Sequence, residues 1–340
     1  MSMYTVSVLV PVYGVERYIE RCARSLFEQS YPNLEFVFVD DCSPDRSIAI
    51  LSRVLKDYPE RADAVQFVRH SCNKGLSGTR NTALDHATGE FVCVVDSDDW
   101  LEPEGISSLV NEQMRTNADI VSGNAYIHYE NRIEELRAEK YQNKNQMLVQ
   151  QLKDTWTMNT FIWGRIYRRS LFEDYHVRCK EGFNYAEDRY QVVRLCYYAE
   201  TFAFIDGFVY NYEKRNESSI TKKQKSDLSV YLRNQYQHLQ NWIGIRDFFS
   251  DKEQEYYQLA VLNSSHLLRL NLDWALKYKT RKDFDEIVQL IDANNDCMRV
   301  LGWQKTGIKG RLLHCFFFMK LKQFSQRSSR FIRRKFHLAE

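Results

Sequence analysis

The chain has 340 residues, enough for one large domain or for a medium domain with a smaller one. Hydrophobic residues make up 44% of it and include 21 Tyr and 20 Phe, a composition that excludes disorder along the whole chain. The net charge of +2 is unevenly distributed, because residues 297–340 hold eleven Lys or Arg and one acidic residue. This asymmetry predicts that the basic C-terminal segment binds an anionic partner, either a lipid surface or a nucleic acid.

Neither a leader nor a membrane span is expected. The first apolar run, residues 6–12, is short and ends in Pro11-Val12-Tyr13. No stretch approaches the roughly 18 apolar residues that a span requires. The eight Cys are scattered without a Cys-x-x-Cys pair, which favours buried thiols in a reducing cytosol over disulfides or a zinc site.

The first 125 residues alternate between strand and helix patterns. A near-continuous run of strand formers at 5–12 predicts a parallel strand buried on both faces. Apolar residues at helical spacing predict a helix over about 15–29. Further strands are predicted at 34–40, 65–69, 91–95 and 119–126, with helices opening at 43, 77 and 103 between them. Four successive βα units imply an α/β fold with a mostly parallel, doubly wound sheet. From about residue 227 onward the pattern is helical.

Polar and acidic residues follow three of these strands. Strand one ends in Pro11-Val12-Tyr13, strand two in Asp40-Asp41 and strand four in Asp96-Ser97-Asp98. The carboxyl ends of parallel strands meet at one edge, where ligands bind in such sheets. Because unpaired buried acids are costly, their convergence predicts a functional site.

The segment Asp96-Ser97-Asp98-Asp99 is the most informative motif. Carboxylates at the end of a strand suit Mg²⁺ or Mn²⁺, which bridge readily to phosphate oxygens. An isolated Asp-x-Asp is weak evidence, since it also occurs in caps and loops. Its place after a buried strand, and before the helix start at Trp100-x-x-Pro103, favours a cation site.

Four ordered segments together carry a family resemblance. They are Val8-Leu9-Val10-Pro11-Val12-Tyr13, Val39-Asp40-Asp41-Cys42-Ser43, Asn73-Lys74-Gly75-Leu76-Ser77 with Arg80-Asn81, and Asp96-Ser97-Asp98-Asp99. In this order and spacing they resemble the family 2 glycosyltransferases, which have the GT-A fold. Segments 163–172 and 185–188, and Tyr210-Asn211-Tyr212 with Arg215, Ser218 and Ser219, are similar to the bacterial polysaccharide branch of that family. The resemblance covers residues 4–220.

The resemblance implies a GT-A catalytic domain over residues 1–220, with a nucleotide-sugar half at about 1–125 and an acceptor half at about 126–220. Residues 221–340 are then a helical region with a basic amphipathic tail. The implied enzyme is an inverting glycosyltransferase of the hexosyltransferase type. It would move a sugar from a nucleotide-sugar, a UDP-sugar by resemblance, to a hydroxyl of a saccharide or lipid-linked acceptor in cell-surface polysaccharide synthesis.

The resemblance also assigns roles to individual residues. On the donor side it implies a floor under the base from Pro11, Val12 and Tyr13, a base contact from Asp41, and further donor contacts from Lys74, Arg80, Asp96 and Ser97. Asp98, with Asp96 beside it, would bind Mn²⁺ or Mg²⁺. Cys42 departs from the glycine that is common at its position.

For the acceptor side the resemblance implies that Asp188 is the catalytic base and that Glu187 orients the site. A base that activates the acceptor hydroxyl opposite the leaving group implies a single displacement with inversion. Trp163 fits sugar stacking or the hydrophobic core equally well. Arg215, Ser218 and Ser219 fit a loop that closes over the diphosphate, or a plain surface loop.

Residues 311–336 interleave Lys and Arg with Phe, Leu, Ile and Met. An amphipathic helix of this composition lies well in an anionic lipid interface. We therefore expect a cytoplasmic protein, peripheral on the inner face of the cell membrane, with no nucleic-acid partner. The alternative is a helix packed on the catalytic domain.

Two other functions compete with this interpretation. A nucleotidyltransferase acting on sugar phosphates would need a glycine-rich, basic phosphate loop after strand one, but Tyr13-Gly14-Val15-Glu16 follows it. A non-catalytic carbohydrate-binding or nucleic-acid-binding protein would leave the converging aspartates unexplained.

Overall fold

The computed structural model describes residues 4–153, 157–278, 289, 294, 296 and 297. Within them, nine strands form one sheet. In chain order the strands are β1 (Val6–Val12), β2 (Leu34–Asp40), β3 (Val65–Arg69), β4 (Phe91–Val94), β5 (Trp100–Leu101), β6 (Ile120–His128), β7 (Ile133–Leu136), β8 (Arg165–Arg168) and β9 (Phe202–Glu213).

The strand order is β3-β2-β1-β4-β8-β6-β9-β5, and β7 pairs with β6. Strands β3, β2, β1 and β4 are mutually parallel, as are β6 and β9. Strand β8 runs antiparallel between β4 and β6, and β5 is antiparallel to β9. The α/β fold class with a mostly parallel sheet flanked by helices is therefore confirmed.

The helices are α1 (Ile19–Phe27), α2 (Ser47–Leu55), α3 (Gly75–Asp85), α4 (Gly105–Thr116), α5 (Lys144–Gln151), α6 (Ser170–Glu173), α7 (Glu187–Tyr198), α8 (Ile220–Ser226), α9 (Leu228–Phe248) and α10 (Gln254–Tyr278). Short 3-10 turns occur at Pro59–Ala64 and Met158–Thr160. Helix α1 is shorter than the 15–29 expected, because residues before it form a turn in which the Tyr18 and Ile19 N–H groups both donate to the Val15 carbonyl.

The main core lies on one face of the sheet. Val6, Val8, Val10 and Val12 of β1 join apolar residues of α1, α2 and α4 in a single buried cluster. Leu9 is also buried but lies outside that cluster, so β1 is covered on both faces, as its apolar run predicts. Because both faces of β1 are covered, polar side chains can meet a ligand at the carboxyl ends of the strands.

The chain divides into two compact units, Met1–Ile245 and Arg246–Glu340. The first contains the whole sheet. In the second, the Arg246 guanidinium and the Tyr257 hydroxyl both donate to the Asp296 carboxylate, at 3.1 and 2.7 Å. The basic tail, residues 298–340, lies outside the described residues. Within the described part of the chain, none of the helices combines the length and apolarity needed to cross a bilayer.

Candidate active site

A cavity of about 800 Å³ opens at the carboxyl ends of β1, β2 and β4. Residues that follow these three strands line it together: Pro11, Val12, Tyr13, Asp41, Asp96, Ser97 and Asp98. The opposite wall comes from the start of α7, the segment after β9, and α9. The convergence of the strand ends that the sequence predicts is thus present in the structure.

The turn after β4 divides its three aspartates between two environments. Asp96 and Asp98 line the cavity, whereas Asp99 is fully buried beneath it. The Asp99 carboxylate accepts hydrogen bonds from the Tyr210 hydroxyl and the Glu213 N–H, both at 2.7 Å. Burial, with the charges of Asp98 and Asp96, raises the pKa of Asp99 well above its usual range. Asp99 is therefore an anchor between this turn and β9.

Asp98 lines the cavity with Asp96 and has one side-chain donor from the segment after β9. Its Oδ2 accepts a hydrogen bond from Asn216 Nδ2 at 2.8 Å. Burial and then repulsion by Asp96 raise the pKa of Asp98 to about 6. Among the described residues no group of three His, Cys, Asp or Glu side chains is arranged to hold a metal ion. Two carboxylates beside an open cavity fit Mg²⁺ or Mn²⁺ when phosphate oxygens and water complete the coordination.

Arg80 joins the donor side of the cavity to the predicted base. It is 4% exposed and donates to Asp96 and Glu187, both at 2.7 Å, and to Asp188. Although burial works in the opposite direction, Asp96, Asp188 and Glu187 hold the pKa of Arg80 well above its ordinary value. The turn after β4 and the start of α7 are thus within reach of one guanidinium.

Glu187 and Asp188 open helix α7 after Ala186, whose φ of 55° is left-handed. Burial raises the pKa of both acids; repulsion from Asp188 adds to the effect at Glu187, and Arg80 opposes it at each. A carboxylate with a raised pKa accepts a proton more readily. Asp188 also lines the cavity, so its carboxylate lies at the surface that a bound molecule would meet.

Asp41 organises the loop that follows β3. Its Oδ1 accepts from His70 Nδ1 and from the Lys74 N–H, both at 2.7 Å, and its Oδ2 accepts from the Gly75 N–H at 2.8 Å. The Lys74 side chain is exposed and is not among the residues that line the cavity. The Lys74 main chain binds Asp41, whereas its side chain does not make the contact with the sugar donor that the sequence predicts.

The residue after Asp41 explains a departure noted in the sequence. Cys42 has a φ of 57°, a conformation that costs a residue with a Cβ more than it costs glycine. Its thiol donates to the His70 carbonyl at 3.0 Å. The local backbone is therefore the one that glycine favours, with a cysteine accommodated in it.

Trp163 is part of the cavity wall, but its neighbours cover it almost completely. Its ring is 2% exposed and stacks on Phe161 and on Tyr210, with centroids 4.5 Å away in each case. An indole covered in this way has no face open to a sugar. Of the two roles considered for Trp163, the structure therefore favours the core over sugar stacking.

The segment after β9 differs from the expected diphosphate loop at one residue. Arg215 is bound to the Glu213 carboxylate through Nε and Nη2, both at 2.6 Å, and does not line the cavity. Ser218 and Ser219 do line it, and the Ser219 side chain caps α8 by accepting from the Lys222 N–H at 3.2 Å. Arg215 therefore neutralises a buried acid in this structure.

Sequence reasoning missed Asn216, Glu213 and Gln237. Asn216 lies between Arg215 and Ser218, which the family resemblance marks. No motif marks Asn216 itself, although its amide donates to Asp98. Gln237 lies in the helical segment, where no motif marks it. It lines the cavity because α9 packs beside the segment that precedes Glu187.

Comparisons with known proteins agree with this geometry. The family model described as "Glycosyl transferase family 2" matches residues 7–176. The chain is 33% identical over 239 residues to the uncharacterized glycosyltransferase EpsJ of Bacillus subtilis, covering 68% of this chain and 67% of EpsJ. It is 31% identical over 223 residues to the glycosyltransferase GlyA of Streptococcus pneumoniae, covering 63% of this chain but only 31% of GlyA.

Among solved structures, residues 1–349 of Staphylococcus aureus TarS in complex with UDP share the fold. The TM-score is 0.60 at 20% identity, and the match covers 96% of this chain and 92% of that one. Neither the nucleotidyltransferase nor the non-catalytic alternative is favoured by any of these matches.

Proposed function

This chain belongs to glycosyl transferase family 2 and is a glycosyltransferase, and we propose that it moves a sugar from a UDP-sugar to a hydroxyl of a saccharide or lipid-linked acceptor, with inversion. We place this reaction in cell-surface polysaccharide synthesis. The observation that carries the proposal is Arg80, whose guanidinium contacts Asp96 on the donor side and Asp188 on the acceptor side.

On the donor side, Asp98 and Asp96 would hold Mn²⁺ or Mg²⁺. A cation held there would supply positive charge against the charge that builds on the leaving diphosphate. Pro11, Val12 and Tyr13 would support the base, and Tyr13 is suited to this because it lines the cavity and is 51% exposed. Asp41 keeps a lone pair for the base edge after its three hydrogen bonds to the 70–75 loop.

On the acceptor side, Asp188 would take the proton of the attacking hydroxyl. The new bond forms between that oxygen and the anomeric carbon as the bond from this carbon to the diphosphate oxygen breaks. Because a single carboxylate activates the acceptor and no enzyme-bound sugar is needed, the displacement inverts the anomeric centre. Arg80 and Glu187 would fix the direction of the Asp188 carboxylate.

The test is a panel of UDP-, GDP- and dTDP-sugars with the full chain, in Mn²⁺ or in EDTA, followed by thermal shift and by slow donor hydrolysis. We expect one donor to bind only with the metal, and Asp98→Asn to abolish its binding. Asp188→Asn should keep donor binding and lose transfer by at least 100-fold. Asp206→Asn, at a side chain that is 81% exposed, is the control. Donor binding that is unaffected by both EDTA and Asp98→Asn would contradict the proposal.

A further inference from the structure

The cavity rests on a group of interactions that the proposed reaction does not use. Arg21, on α1, lies outside the cavity lining. Its Nη2 donates to the main-chain carbonyl of Asp98 at 3.0 Å and to the Glu213 carboxylate at 2.9 Å. The guanidinium carbon lies 3.6 Å from the centre of the Trp100 ring. A planar guanidinium can stack and donate in its plane at once, which a lysine cannot do.

Glu213 is the centre of this group. Its side chain is 1% exposed, and its carboxylate binds both Arg21 and Arg215. Its main-chain N–H donates to Asp99 at 2.7 Å. The end of β9 is therefore tied to α1 and to the turn after β4 through one buried acid.

Both supports of Asp98 depend on Glu213. Arg21 holds the Asp98 carbonyl directly. Asn216 holds the Asp98 carboxylate at 2.8 Å, and it follows Arg215, which Glu213 fixes through its N–H and its guanidinium. A shift of either arginine would therefore move the carboxylate or its hydrogen-bond donor.

We propose that Arg21, paired with Glu213 and stacked on Trp100, is a positioning residue that sets the Asp98 carboxylate for the cation bound with the donor diphosphate. The inference rests on the proposed function, because it assumes that Asp98 binds that cation. Groups that orient a metal ligand commonly change metal affinity by 10–100-fold when removed.

The variant that tests this is Arg21→Met, which keeps length and bulk over Trp100 but removes both hydrogen bonds. Glu213 keeps its pairing with Arg215, so the fold is not left with an uncompensated buried charge. Arg24→Met is the matched control: it lies on the same helix, its side chain is 37% exposed against 35% for Arg21, and it pairs with Glu20 and Asp57.

The measurement is calorimetric titration of the full chain with UDP and with GDP, in MnCl₂ and in EDTA, with a Mn²⁺ titration followed by electron paramagnetic resonance. We expect Arg21→Met to weaken Mn²⁺-dependent nucleotide binding about 10-fold or more. Metal-free binding should stay unchanged, and Arg24→Met should behave as the unmodified protein. Arg21→Lys keeps the charge but loses the planar guanidinium, so its Mn²⁺-dependent affinity should lie between those of Arg21→Met and Arg24→Met. It replaces the methionine variant if that variant does not fold.

Three results would overturn the inference. Equal Mn²⁺-dependent affinity in Arg21→Met and Arg24→Met would show that Arg21 does not act on Asp98. An equal loss with and without metal would assign Arg21 to the whole cavity. Absence of Mn²⁺-dependent nucleotide binding in the unmodified protein would instead refute the proposed function, and the inference with it.

Discussion

At the scale of single residues, Asp98 illustrates how a site is kept at the expense of stability. Its carboxylate lies near Asp96 and Asp99, and Asn216 donates a hydrogen bond to it. Like charges at this spacing raise the free energy of the ion-free folded protein. A bound cation would relieve that repulsion. The arrangement therefore favours ligand binding at a cost in the stability of the ion-free fold.

The pKa of Asp98 gives the sign of the effect on stability. Its value of about 6 lies above the ordinary value of an unfolded aspartate, about 3.9, so the protonated form stabilises the fold. That contribution is complete below about pH 4 and is lost as the pH rises through about 6. We therefore expect Asp98→Asn to stabilise the metal-free protein at pH 7.5 by about 1–3 kcal/mol.

The check is the thermal midpoint of both proteins in EDTA between pH 4 and 8. The advantage of Asp98→Asn should grow up to about pH 6 and then stay constant. With Mn²⁺ and a nucleoside diphosphate the order should reverse, because only the aspartate binds the ion. A lower midpoint for Asp98→Asn at pH 7.5 without metal would contradict this account, and Asp206→Asn should show neither effect.

At the scale of elements, α9 carries the segment that leads to Asp188. The Gln237 side chain accepts from the Asn184 N–H at 3.0 Å and donates to the Gly182 carbonyl at 3.1 Å. One turn further, Asn241 donates to the Tyr185 carbonyl at 3.0 Å. A segment without regular structure thus has its main-chain groups satisfied by side chains of a helix.

We expect Gln237→Ala to lower the transfer rate about 10-fold and to leave Mn²⁺-dependent nucleotide binding intact. The reason is that loss of both hydrogen bonds loosens the position of Asp188 without touching Asp98. The measurement compares kcat for transfer with the affinity for the nucleotide. Gln240→Ala, at a glutamine of α9 that does not line the cavity, should change neither quantity. A parallel loss of nucleotide binding in Gln237→Ala would show that α9 supports the whole cavity.

The elements also show what the sequence could predict. Apolar runs place β1, β2 and β4, since a strand covered on both faces needs little context. Convergence of their ends follows from the βα connection rule. The antiparallel insertion of β8 between β4 and β6 has no such signal, because it depends on pairing between distant segments.

The same reasoning applies to the site. Asp96 and Asp98 could be predicted because they follow a buried strand directly. The contact of Arg80 with Glu187 spans 107 positions, and that of Arg21 with Glu213 spans 192. Local patterns do not specify which acid a distant arginine meets. Arg215 differs from these cases: its sequence context fits a loop over the diphosphate or a plain surface loop, and in the structure it pairs with Glu213, two positions before it.

At the scale of the whole molecule, the charge is divided between the sheet domain and the C-terminal segment. Residues 297–340 contain eleven basic residues and one acid, although the whole chain carries only +2. The sequence prediction for this tail remains a proposal: an amphipathic helix that binds an anionic membrane and brings the enzyme to a lipid-linked acceptor. Each basic residue near such a surface contributes about 1 kcal/mol.

We therefore expect replacement of Arg333, Arg334 and Lys335 by Gln to weaken binding to phosphatidylglycerol-rich vesicles about 100-fold, from roughly 3 kcal/mol in total. The measurement is co-sedimentation of the full chain with vesicles at 50 and 300 mM salt. Because salt screens the attraction, the unmodified protein should bind more weakly at 300 mM.

The control removes the same charge from elsewhere in the chain. Arg46, Arg53 and Arg69 have side chains that are 80%, 65% and 77% exposed, and their replacement by Gln lowers the net charge equally. If attraction depended on net charge alone, both triple variants would lose the same affinity. The tail proposal requires that only the 333–335 variant loses affinity. It also requires that neither variant binds phosphatidylcholine vesicles. Equal losses in the two variants would place the membrane-binding charge elsewhere and leave the tail free to pack on the protein.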